Sequence, residues 1–182
     1  MKLPLRSFIP AGALVASGLL RAVGEMVEIV AGQPTPLSGI LAALALTGFA
    51  IGVIGIWDEA CTSLLGWLAT IGTVGGALGF VLIAFDSVLL RGTPPAIAIA
   101  SDPPFLASAA AILVGTAAMA LWIIRSPHYQ NWVGIVLIAT TMTSVLASFL
   151  ALPPIVQPLS DIAMAASFVQ FGLSMYENAK RT

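Results

Sequence analysis

Arg21, Glu25 and Glu28 are the residues whose types and spacing best suit chemistry in this chain. Intervals of four and three residues put them on one helix face, within about 60° of one another. Arg21 can pair with Glu25 one turn away, and Glu28 can approach Glu25 from its other side. Asp86, with Arg91 close by, repeats the combination of acid and base later in the chain. Carboxylates held in a cleft draw in a cation, a proton or an amine through their field.

Other reactive groups are scarce. The single Cys61 forms no disulfide within the chain, and the single His128 excludes bis-His haem and a His-rich metal site. Phosphate-loop, zinc-protease and nucleophile-elbow motifs are absent. No catalytic residue, metal or cofactor is assigned; enzyme activity stays open, with a two-carboxylate site such as Glu25 with Glu28 as the sole option for it. Asp58, Glu59, His128, Tyr129 and Cys61 read as ordinary loop residues.

The elements that position these groups follow from composition. Hydrophobic residues make up 59% of the 182 positions and charged residues 8%, against about 25% charged in soluble domains. So few charges cannot cover a soluble globule. A net charge of -1 excludes nucleic acid as a partner. Lipid bilayer is the solvent this composition fits.

A membrane-crossing helix needs about 20 apolar residues. Six segments qualify: Phe8–Val30, Pro36–Trp57, Leu64–Leu90, Pro104–Arg125, Trp132–Leu152 and Pro158–Asn178. The expected fold is an all-α integral membrane protein, a bundle of six transmembrane helices with short loops and a single domain. Thr35-Pro36 and Asp102-Pro103-Pro104 open two of the spans as cap and first turn. Lys2, Arg6, Arg125, Lys180 and Arg181 fall on one side of the bundle and Arg91 on the other. The positive-inside rule then puts both termini in the cytoplasm, in a bacterial inner membrane. Trp57, Trp67, Trp122, Tyr129, Trp132 and Tyr176 fall at the cytoplasmic ends, where amphipathic rings anchor. The ten-residue spacing of Trp57 with Trp67 recurs in Trp122 with Trp132, which suggests that spans two-three and four-five repeat one hairpin.

Helices in lipid associate through small residues and hydrogen bonds. Gly48 with Gly52, Gly72 with Gly76, Gly75 with Gly79, and Ala111 with Gly115 have the required spacing. Thr140, Thr141, Ser144 and Ser148 share one face of span five, and Ser160, Ser167, Gln170 and Ser174 one face of span six. Gln170 sits near mid-membrane, where its amide needs partners.

A charge at a span centre costs about 2.5–3.5 kcal/mol on insertion scales, so each intramembrane charge needs a reason. Glu25, Glu28 and Asp86 sit near helix C-termini, against the macrodipole. Asp161, in the first turn of span six, and Asp102 read as caps. The outer half thus holds Glu25, Glu28, Asp86, Asp102 and Asp161 against Arg21 and Arg91. The expectation is an outward acidic pocket with Arg21 at its floor and Glu25, Glu28, Asp86 and Gln170 around it. Asp161 and Arg91 would then gate or cap it. The competing expectation is an ion-pair cluster that only fixes helix packing.

Three functions fit these observations. The first is a small carrier or channel-like protein for a cation, proton or amine. The second is a non-catalytic accessory or assembly subunit of a membrane complex. The third is a binder of lipid, quinone or pigment. The expected partners are the lipid bilayer and either further copies of the chain or other membrane subunits.

Overall fold

The computed structural model describes residues 5–33, 35–84, 103–150, 153 and 155–181. Asp86, Arg91 and Asp102 lie outside the described residues. Among those described, the structure is all-helical, with seven helices and no strand. These are α1 (Leu5–Ala31), α2 (Pro36–Gly55), a short α3 (Trp57–Ala60), α4 (Leu64–Ala84), α5 (Pro103–Arg125), α6 (Asn131–Phe149) and α7 (Val156–Arg181).

Local chemistry sets the boundaries. Gly32 follows α1 at φ 68°, a left-handed position that glycine takes without a Cβ clash and that ends helices. Thr35 Oγ1 accepts from the Ser38 N–H at 3.0 Å, and Ser38 Oγ accepts from the Thr35 N–H at 3.0 Å. This reciprocal box, with Pro36 in the first turn, opens α2 where the sequence places it.

By length and composition, Pro36–Gly55, Leu64–Ile83 and Pro103–Arg125 are apolar enough to cross a membrane. Asn131–Leu146 is apolar but shorter. Helices α1 and α7 differ because they carry Arg21, Glu25, Glu28 and Asp161, and α7 ends in Glu177, Lys180 and Arg181. All six long helices expose large apolar side chains, among them Leu19, Leu44, Leu82, Val114, Ile135 and Leu159.

The long helices form a ring. Each packs on its neighbour in the chain, and α7 returns to close against α1. The most extensive contacts are α4 with α5, α1 with α7, and α1 with α2. Small residues explain two of these. A Cβ on Gly72 would lie 2.9 Å from the Ala111 carbonyl oxygen, and one on Gly76 2.7 Å from the Ile112 Cβ. A Cβ on Gly48 would lie 2.8 Å from the Ala13 oxygen, and one on Gly52 would strike Leu14. Ser17 Oγ donates to the Ala45 carbonyl at 2.6 Å across the α1–α2 seam. The spaced pairs Gly48/Gly52, Gly72/Gly76 and Ala111/Gly115 are therefore contact faces. Gly75 and Gly79 do not share one: Gly79 meets Ser108, whereas Gly75 has nothing within 4 Å.

Aromatic rings gather where α1 starts and α7 finishes. Phe8 meets Tyr176 at 5.1 Å, and Trp57 meets Trp67 edge-on at 5.0 Å. Tyr129 contacts both Trp122 and Phe171. Trp57, Trp67, Trp132 and Tyr176 are exposed, but Trp122 and Tyr129 are buried. Those two rings belong to the core and are not rim anchors. The two hairpins also differ in detail. Helix α3 has no counterpart between Arg125 and Asn131, and Trp132 Nε1 donates to Gln130 Oε1 at 2.6 Å.

Candidate functional site

Helix α7 begins at Val156, two residues before Pro158. Proline is tolerated that early because the first-turn N–H groups lack helical partners anyway. Asp161 consequently lies in the second turn and is not the first-turn cap that the sequence suggested. It faces α1, where Arg21 Nη2 donates to its Oδ1 at 2.5 Å. The cross-helix partner of Arg21 is thus Asp161, in place of the Glu25 pairing expected from spacing.

Gln157, one turn before Asp161, completes the cluster. Its Nε2 donates to Asp161 Oδ2 at 3.0 Å and to Ser144 Oγ at 3.4 Å. Both carboxylate oxygens are therefore engaged. The side chains of Arg21 and Asp161 are 20% and 8% exposed. In so dry a setting each charge depends on the other, since an unpaired buried ion is strongly destabilising. Arg21 Nε and Gln157 Oε1 are buried with no partner among the described residues.

This cluster sits on the wall of a partly open cavity of about 830 Å³ between the helices of the ring. All six long helices contribute to its lining. Most of the wall is apolar. Phe49 stacks on Phe168 at 4.1 Å and 18°, and Phe80 meets Phe105 edge-on at 5.2 Å. The polar lining consists of Arg21, Gln157, Thr116, Thr141 and Ser144. Thr141 and Ser144 donate to their own helix, to the carbonyls of Leu137 at 2.7 Å and Thr140 at 3.1 Å.

The expected site residues part company here. Arg21 lines the cavity, whereas Glu25, Glu28 and Gln170 do not. Glu25 and Glu28 are half-buried on α1, and Glu25 lies in the fields of Asp161, Arg21 and Glu28. Gln170 is half-buried farther along α7. Asp86 and Arg91 lie outside the described residues. Among the described residues, the cavity wall is accordingly mostly apolar, and its charged side chain, Arg21, is balanced by Asp161. Sequence reasoning missed Gln157 and Thr116. The four-residue interval from Gln157 to Asp161 was the available signal for the first; Thr116 leaves none, since threonine is common in apolar helices.

At the aromatic end, Tyr129 Oη donates to Glu59 Oε2 at 3.0 Å, and Asn178 Nδ2 donates to the His128 carbonyl at 3.0 Å. Burial, then the charge and hydrogen bond of Glu59, push the Tyr129 phenol well above its usual range. A cleft of about 330 Å³ beside it is lined by Glu59, Arg125 and His128 among others. Among the described residues no group of three or more His, Cys, Asp or Glu side chains is arranged to hold a metal.

No protein family, curated protein or solved structure matches the chain.

Proposed function

We propose that this chain is a six-crossing membrane protein that binds a largely apolar small molecule inside its helix ring. The cavity of about 830 Å³ carries this reading. Ligand pockets run to about 300–1,000 Å³, with apolar walls and few placed polar groups. Phe49, Phe80, Phe105 and Phe168 supply such walls, and Arg21 with Gln157 supplies a polar end. Of the three expected functions, the binder of lipid, quinone or pigment fits this lining best. The cation-carrier reading drew its attraction from Glu25 and Glu28, which lie off the wall.

The apolar exteriors of all six long helices support six crossings. The basic residues Arg125, Lys180 and Arg181 at one end support a cytoplasmic placement of that end, in a bacterial inner membrane.

The test is to purify the protein in mild detergent, extract it with organic solvent and identify small molecules by mass spectrometry. Ala109 lines the cavity, so Ala109→Trp fills it. A compound should accompany the wild-type chain in amounts comparable to the protein and be lost from a still-helical Ala109→Trp variant. Equal recovery from both, or none from either, would refute the binding role.

A further inference from the structure

Resting on the reading that the cavity holds a largely apolar molecule, we infer that this molecule presents an uncharged hydrogen-bond acceptor, of carbonyl type, to Arg21. The argument is one of donor supply. A guanidinium carries five N–H donors. Among the described residues Arg21 makes one hydrogen bond, through Nη2 to Asp161. Its side chain is one-fifth exposed and lines the cavity. The neighbouring polar groups can absorb only part of this surplus: the amide oxygen of Gln157 is the one acceptor in the cluster that is buried with no partner among the described residues. Thr141 Oγ1 points its proton at the Leu137 carbonyl, and Gln157 turns its amide nitrogen to Asp161. Donors facing an apolar space are unfavourable until an acceptor meets them, and beyond that one amide oxygen an occupant of the cavity can supply it.

Charge decides the kind of acceptor. Asp161 already balances Arg21. An anionic head would share one guanidinium with that carboxylate, and like charges at close range repel. A cationic head would meet the guanidinium directly, while the carboxylates that could attract it, Glu25 and Glu28, are off the wall. A neutral oxygen takes the free N–H groups without either conflict. The stacked rings of Phe49 and Phe168 then flank the apolar remainder of the molecule.

The experiment uses four probes sharing a decyl chain: a methyl ketone, a carboxylate, a trimethylammonium and the plain hydrocarbon. Binding to the full chain in phosphatidylcholine nanodiscs is measured by calorimetry, with Ala109→Trp as the background for lipid partitioning. The ketone should bind above that background, and the two charged probes should bind at least about tenfold more weakly. The double variant Arg21→Met/Asp161→Leu removes the ion pair without stranding a buried charge. It should keep hydrocarbon binding and drop the ketone to the hydrocarbon's level. A charged probe that equals or exceeds the ketone, or a ketone unaffected in the double variant, would overturn the inference while leaving the cavity reading intact. Absence of Ala109-dependent binding by every probe would overturn both.

Discussion

Arg21 of α1 and Asp161 of α7 meet at 2.5 Å although 140 positions separate them in the chain. The contact ties the first long helix to the last and helps to close the ring. It also stands in surroundings that exclude most water, where partner loss is punished more than the pair is rewarded.

Asp161→Ala should therefore lower stability by about 3–5 kcal/mol, because it strands the guanidinium. Arg21→Met/Asp161→Leu should recover most of that loss, since neither ion remains to be desolvated. Unfolding in mixed micelles, run as a double-mutant cycle, would measure the coupling directly. Additive single effects would contradict a mutually dependent pair.

The α4–α5 seam allows a sharper contrast between neighbouring residues. A Cβ on Gly76 would lie 2.7 Å from the Ile112 Cβ and 2.8 Å from its Cα, whereas Gly75 has nothing within 4 Å. Gly76→Ala should destabilise by about 1–3 kcal/mol through overpacking. Gly75→Ala should be neutral or stabilise by up to about 1 kcal/mol, from better helix propensity. Thermal unfolding of the two single variants side by side would check the sign of each.

Tyr129 should resist ionisation. Its phenol is pushed above the usual range first by burial and then by Glu59. The chain has two tyrosines, so Tyr176→Phe leaves Tyr129 as the only chromophore of its kind. Tyrosinate absorbance should then emerge well above pH ~10, the value for free tyrosine. Adding Glu59→Gln should move the transition down but not fully back, because burial remains. The sign for stability follows: with the folded pKa above the unfolded one, the contribution is full below pH ~10 and is lost only above it. A transition near the free value would argue against the buried Tyr129–Glu59 contact.

Sidedness can be read with two cysteine reporters in a Cys61→Ser background. Thr62 and Gln33 are both exposed, at opposite ends of α2. With the aromatic end cytoplasmic, Gln33→Cys should react with a membrane-impermeant maleimide on intact cells. Thr62→Cys should react only after permeabilisation. The reverse pattern would invert the proposed orientation, and equal labelling would oppose the crossing by α2.

Much of the helix-to-helix contact was readable in the sequence, because close approach between apolar helices demands small residues at fixed spacing. Gly48, Gly52, Gly72, Gly76 and Gly115 all proved to be contact positions for that reason. The start of α2 was legible from Thr35 as a cap and Pro36 in the first turn, whereas the reciprocal bond from Ser38 was not. The site was less so. Spacing along α1 favoured Glu25 as the partner of Arg21, yet only tertiary closure could bring Asp161 to it. Reading Pro158 as a helix start misplaced Asp161 by half a turn and hid Gln157. Which residues line a void depends on the gap left between helices, and no local pattern in Phe49, Phe105 or Phe168 announces that gap. Trp122 and Tyr129 looked like interface residues because their chemistry suits a headgroup region equally well as a buried aromatic cluster.

Among the described residues, all six long helices of one polypeptide, from α1 round to α7, contribute lining to the chamber. On the proposed reading, occupancy should count one guest per chain. Diluting the protein to monomers should then leave its capacity for the guest unaltered.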